Sequence, residues 1–217
     1  MTSALLTDFY ELTMMQGFFL EKKNPRVVFD MFYRNNPYKG GYTIFTGLDP
    51  LLSILEDFRF SEDDINYLSS LKKFDPAFIE FLRGYHFTGD LYSFDEGTPA
   101  FPGEPLIRVE TTMMDAIIVE AIILNTINFQ TLIATKSARM KLATQGHGSI
   151  MEFGLRRAQG ENGALSATRA CFIGGADVTS NTYAGKEYNI PVAGTMAHSW
   201  IMLFDNEYEA FRRFADI

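Results

Sequence analysis

The chain has 217 residues, of which 47% are hydrophobic, 14% aromatic and 21% charged, with a net charge of −8. That composition excludes a disordered chain, and 27 acidic against 19 basic side chains argue against a general nucleic-acid binder, which needs a basic excess. A single cysteine, Cys171, excludes an internal disulfide framework and a cysteine-only zinc site.

In chain order, the start has no basic segment followed by an apolar one, so it does not read as a secretion signal and a cytoplasmic protein is expected. A helix is predicted from about Asp8 to Glu21, capped by Asp8 with Glu11 behind it, and striped by Leu12, Met15, Phe18 and Phe19. Arg26 to Arg34 alternates as a strand, with Val27, Phe29, Met31 and Tyr33 on one face. A loop over 35–41 leads to a second strand around Tyr42 to Phe45. Three short helices follow: one carrying Leu51 to Leu55, one capped by Ser61, and one running from the Asp75 cap through Pro76 to Gly84. Closely spaced prolines between Asp90 and Glu110 suit turns and edge strands, with Leu106 to Val109 strand-like. Met114 to Thr144 is the longest helical pattern, a buried helix or a helix pair. Its most apolar run, Ala116 to Leu124, is short and contains Glu120, so no membrane span is expected.

Beyond Gly146 the rhythm becomes strand, helix, strand: Ser149 to Phe153, Gly163 to Ala170, then Cys171 to Ile173. Another strand is expected at Pro191 to Gly194, and a helix from near Glu207. Alternating β and α with short turns predicts a parallel sheet with helical crossovers. The expected fold class is α/β, with an N-terminal α+β domain over residues 1–145 and the first βα units of a second domain over residues 146–217. About three such units fit, whereas a closed barrel needs eight. The second domain therefore reads either as a small open sheet or as the N-terminal piece of something longer.

None of the three histidines stands in a metal-binding spacing, so no metal held by the protein itself is expected. His86, between Tyr85 and Phe87, reads as structural, and His147 as part of a glycine-flanked turn. His198 differs, because it follows Gly194-Thr195-Met196-Ala197 just after an expected strand end, where parallel βα folds bind ligands. An imidazole there can move a proton or accept a phosphoryl group. Phe153-Gly154-Leu155-Arg156-Arg157 stands at another strand end. It offers a flat stacking face and guanidinium forks for a carboxylate or phosphate, or equally a helix entry with two solvated arginines. Gly174 to Asn181 follows a third, and its Asp177, Thr179, Ser180 and Asn181 either face a ligand or form an ordinary turn. Three such loops would converge on one mouth. Asp8 to Glu11 is by itself an ordinary helix start, Cys171 a small apolar strand residue and Trp200 a packing residue.

Together these segments resemble the nicotinate phosphoribosyltransferases. The strings that carry the resemblance are Thr7-Asp8-Phe9-Tyr10-Glu11-Leu12-Thr13-Met14, Phe94-Asp95-Glu96-Gly97 and Phe101-Pro102-Gly103-Glu104-Pro105-Leu106. Asn128 to Lys136, Phe153 to Gly160, Gly174 to Asn181 and Gly194 to Ser199 continue it, so that it covers essentially the whole chain in order. The resemblance implies an N-terminal α+β domain joined to an irregular α/β (TIM-like) barrel, truncated here because family members are much longer, and a homodimer. It implies that nicotinate and phosphoribosyl pyrophosphate give nicotinate mononucleotide and pyrophosphate, with magnesium present. ATP hydrolysis would be coupled through a transiently phosphorylated histidine. By motif position that histidine is His198, while Tyr10 of the neighbouring subunit and Phe153 stack on the two faces of the pyridine ring. Arg156 lies near ring and phosphate, and Thr195 binds nicotinate. Asp177 would repel the acid group, so it is expected to hold the loop or a ribose hydroxyl, with Thr179, Ser180 and Asn181 as neutral donors. The competing expectations are a nicotinamide or other pyridine phosphoribosyltransferase, and a non-catalytic half-barrel that needs a complementary chain.

Overall fold

The computed structural model describes residues 3–217. Helix α1, Phe9–Leu20, starts where the sequence predicts, and the Glu11 carboxylate accepts the Asp8 N–H at 3.2 Å. Strand β1, Arg26–Met31, is shorter than expected and pairs antiparallel with a strand at Ile107–Thr112. The stretch Thr43–Ile44 is β2, and it pairs with a second short strand, Pro99–Ala100. Between them stand α2 (Leu48–Glu56), α3 (Glu62–Ser70) and α4 (Pro76–Arg83). Ser61 accepts the Asp64 N–H at 3.1 Å and Asp75 accepts the Ala77 N–H at 2.8 Å, so both caps work as the sequence indicated. Asp90–Ser93 forms β3, Pro99–Ala100 is β4 and Ile107–Thr112 is β5, giving an antiparallel sheet in the order β1-β5-β3. Along β5 the residues Ile107, Val109 and Thr111 turn inward while Arg108 turns out and pairs with Asp30 through two bonds of 2.8 and 3.0 Å.

Helix α5, Met113–Ala143, is one continuous helix of 31 residues rather than a pair. It contains neither Gly nor Pro, so nothing in its sequence breaks it. By length and composition it could cross a membrane, yet half of its most apolar window is buried inside the protein. Ile117, Ile118, Ile122 and Ile127 pack with Phe45, Phe58, Phe78 and Leu82 in the main core. Each such side chain contributes about 1.5–3 kcal/mol by leaving water. Asp115 is buried beside them, where the hydroxyls of Tyr85, Thr111 and Thr88 donate to it at 2.8, 2.9 and 3.2 Å. The helix also closes the edge of β2: Thr135 Oγ1 accepts the Ile44 N–H at 2.9 Å and Thr131 Oγ1 the Thr46 N–H at 3.3 Å.

The last third of the chain departs more from expectation. Strand β6 is only Met151–Glu152, and the following helix, α6, runs Gly160–Ile173. The expected strand Cys171 to Ile173 is therefore the last turn of α6. Ala164, Thr168 and Cys171 fall on one helical face and are buried. Three apolar residues cannot by themselves distinguish the two periods. The next strand, β7, is Val178–Thr179, parallel to β6. The Pro191 to Gly194 strand shrinks to a single parallel bridge, Thr179 to Val192. Helices α7 (Thr182–Tyr188), α8 (His198–Ile201) and α9 (Glu207–Ala215) complete the chain. The parallel arrangement of the short sheet matches the β/α rhythm read from the sequence.

One ion pair ties α6 to the first part of the molecule. Arg169 donates to both oxygens of Glu96 at 2.9 and 2.6 Å, and to Asp49 at 2.9 Å. Glu96 also accepts the N–H groups of Gly47 and Leu48 at the start of α2. Burial pushes its carboxyl up, but the Arg169 hydrogen bonds, the Gly47 N–H, the Arg169 charge and the Leu48 N–H outweigh it. Its pKa therefore lies below the ordinary carboxylate value.

Candidate active site

Because β6, β7 and Val192 run parallel, their C-terminal ends lie on one rim. Phe153 and Gly154 leave the first strand there, Ser180 and Asn181 the second, and Gly194 and Thr195 follow the third. Phe153 is exposed and borders a cavity of about 580 Å³ between α5, β6 and α6, lined also by Phe129, Ile133, Met140 and Arg157. Arg156, in the short 3-10 turn Leu155–Arg157, is exposed, and it is Arg157 that lines this cavity. Thr195 is exposed, as is His198, the first residue of α8.

The four candidates over 177–181 do not share one environment. Thr179 and Asn181 are buried, and both are engaged in hydrogen bonds to neighbouring side chains, so at the strand end it is Ser180 that is left partly open. Gly174, Gly175 and Asp177 precede β7 and so lie at the opposite end of the strand from the rim. The Lys141 ammonium sits 2.8 Å from both Asp177 oxygens, and the Ile150 N–H donates to it at 2.7 Å. Those bonds hold its carboxyl below the usual carboxylate range. Within this chain Asp177 fastens the end of α5 to the start of the parallel sheet.

Tyr10 stands elsewhere. It is exposed on α1, where the charges of Glu120 and Glu11 push its phenol up. Glu120 and the Ile133 that lines the cavity beside Phe153 are separated by roughly 20 Å of helix axis. Tyr10 is not among the residues that line that cavity.

The sequence reading missed Glu152. Its carboxylate accepts the hydroxyls of Thr168 at 3.0 Å and Thr179 at 2.7 Å, and the N–H of Gly154. A glutamate at a strand end carries no signal of such partners, since two of the three come from other elements.

The model of the nicotinate phosphoribosyltransferase (NAPRTase) N-terminal domain matches residues 5–128, more than half of the chain. The chain belongs to the nicotinate phosphoribosyltransferase family. It is 41% identical over 212 residues to nicotinate phosphoribosyltransferase pncB2 of Mycobacterium tuberculosis, covering 98% of this chain and 46% of that protein. With the nicotinate phosphoribosyltransferase of Caenorhabditis elegans it shares 42% identity, covering 94% of this chain and 37% of that one. The crystal structure of human nicotinic acid phosphoribosyltransferase superposes with a TM-score of 0.84 at 35% identity, over 91% of this chain and 40% of that chain. The chain thus spans less than half the length of these family members. The nicotinate-nucleotide pyrophosphorylase of Pyrococcus furiosus, with a TM-score of 0.80 at 22% identity, shares the fold.

Proposed function

We propose that this chain is a nicotinate phosphoribosyltransferase, in which the rim of the parallel strands binds nicotinate and the reacting end of phosphoribosyl pyrophosphate. The observation that carries this reading is the meeting of Phe153-Gly154, Ser180 and Gly194-Thr195 at three adjacent parallel strand ends, in a chain of this family. A flat aromatic acid needs a stacking face and donors for its carboxylate. Phe153 supplies the face, the arginines of the adjoining turn and Thr195 the donors. Displacement at the anomeric carbon builds positive charge on the ribose, so holding base and sugar in line and stabilising pyrophosphate matter more than a strong nucleophile. Tyr10 would close the second face of the ring from a neighbouring subunit in a homodimer, consistent with its exposure. The parallel units are read as the opening of an irregular α/β (TIM-like) barrel. Its later strands would cover Met202, Leu203, Tyr208 and Phe211, all exposed here.

His198, exposed beyond the third strand end, is the residue that would carry phosphate from ATP. Transfer would form an Nε2–P or Nδ1–P bond as the bond to ADP breaks, and hydrolysis would return the free imidazole. Magnesium is assigned to the substrates rather than to the protein. Among the described residues no three His, Cys, Asp or Glu side chains converge to hold an ion, and the rim offers hydroxyls and guanidinium groups. Magnesium characteristically enters on phosphate oxygens while keeping its waters.

The test is formation of nicotinate mononucleotide by this chain from nicotinate, phosphoribosyl pyrophosphate, magnesium and ATP, with nicotinamide as the parallel base. Nicotinate-selective product, stimulated by ATP in the parent and indifferent to ATP in His198→Ala, is expected. Preference for nicotinamide would move the chain to the related pyridine enzyme. No product from either base would overturn the activity for this chain and favour a half-barrel that needs a complement.

A further inference from the structure

Glu152 ends β6, and its carboxylate serves three donors from three places: the Gly154 N–H in the turn, Thr168 in α6 and Thr179 in β7. Behind it the bonds continue. Thr179 Oγ1 accepts the Asn181 N–H at 3.0 Å, and Asn181 Nδ2 donates to Thr168 Oγ1 at 3.3 Å. Thr168, Thr179 and Asn181 are all buried, so each hydroxyl depends on this network for a partner. The ring closed between the Glu152 side chain and the Gly154 N–H encloses the backbone of Phe153, and so restrains the φ and ψ that set where its Cα–Cβ bond points. A Cβ at Gly154 would stand 2.8 Å from Glu152 Oε1, so the carboxylate would have to shift to admit one. A carboxylate suits the place because two acceptor oxygens meet three donors and no donor of its own intrudes.

We propose that Glu152 is a positioning residue: by joining the Gly154 N–H to Thr168 and Thr179 it sets the angle at which Phe153 meets a planar aromatic acid. This rests on the nicotinate-binding reading above and adds to it a residue that touches no substrate. It also explains why Thr179 and Asn181 are buried beside a ligand-binding rim. Thr179 holds the carboxylate that holds the turn, and Asn181 braces Thr179 and Thr168 behind it.

The test compares the full chain with Glu152→Ala and Glu152→Gln by amide hydrogen exchange and by titration with nicotinate. Glu152→Ala should raise exchange at Gly154 and Asn181 by about tenfold while amides of α1 and α5 stay as in the parent. The same variant should weaken nicotinate binding by about tenfold, the cost of a misaimed contact. Glu152→Gln, with one acceptor oxygen for three donors, should fall between parent and alanine in both readouts, and it stands in for the alanine variant should that fail to fold. Unchanged Gly154 exchange overturns the proposal. So does exchange that rises evenly through the chain, the mark of a merely structural residue, and so does local release with unchanged nicotinate affinity. If the parent itself does not bind nicotinate, the base-site reading fails, and exchange at Gly154 alone decides whether Glu152 holds the turn.

Discussion

Among the described residues, the largest fully buried side chains run from Met15 to Ile122 and include Phe45, Phe58 and Phe78. Beyond residue 150 the buried apolar positions are mostly alanines, with Cys171 and Ile190, while Met202, Leu203 and Tyr208 lie in the open. In the first region order comes from large side chains that fill space; in the second it comes from short contacts and a chain of hydrogen bonds around Glu152. The hydrophobic driving force has no preferred direction, whereas hydrogen bonds do. The region proposed to aim the Phe153 ring is the one ordered by direction.

The contrast can be broken most forcefully at Phe78. Phe78→Ala should cost about 3–5 kcal/mol in urea denaturation, and a loss no larger than that of a surface change would erase the distinction. Next comes the joint between the regions. Glu96→Ala leaves Arg169 only the exposed Asp49 and strands two helix N–H groups, and should cost about 3 kcal/mol at neutral pH. Because the folded carboxyl titrates below its unfolded value of about 4.3, the pair's contribution is complete above that value. It is lost as pH falls through the folded value, so parent and variant denaturation curves should converge in acid. Divergence on acidification would refute the assignment. The smallest effect is expected at Leu203, which is 77% exposed. Leu203→Ala should stay within about 0.5 kcal/mol, and a larger loss would show that the second region packs more tightly in solution than its exposure indicates.

Local features were legible in the sequence where one residue and its near neighbours decide them. Ser61 and Asp75 cap the helices expected of them, and the alternation of Val27, Phe29 and Met31 marked a strand. Family membership was legible too, from strings spread along the chain. Cys171 to Ile173 was misread because the segment is too short to show its period, and its burial is decided by α5 packing against it. The Pro191 to Gly194 segment was overread, since one bridge to Thr179 is all the pairing it makes. The roles of Glu96 and Glu152 were hidden for another reason. Arg169 lies 73 positions from Glu96, and Thr179 lies 27 from Glu152, so only folding brings donor and acceptor together. At the candidate site, the sequence named Phe153 and Thr195 but gave no means of separating Ser180 from the buried Thr179 and Asn181.

The absence of Gly and Pro from α5 has a mechanical meaning. Sharp bends in helices arise at proline, at glycine, or where the hydrogen-bond ladder is interrupted, and this helix runs unbroken beneath both regions. It behaves as a shaft. Lys141, where Asp177 is fastened, stands near one end of a stiff rod whose other end lies in the main core. A sharp change of direction between the two regions is therefore left to the turns that flank the helix.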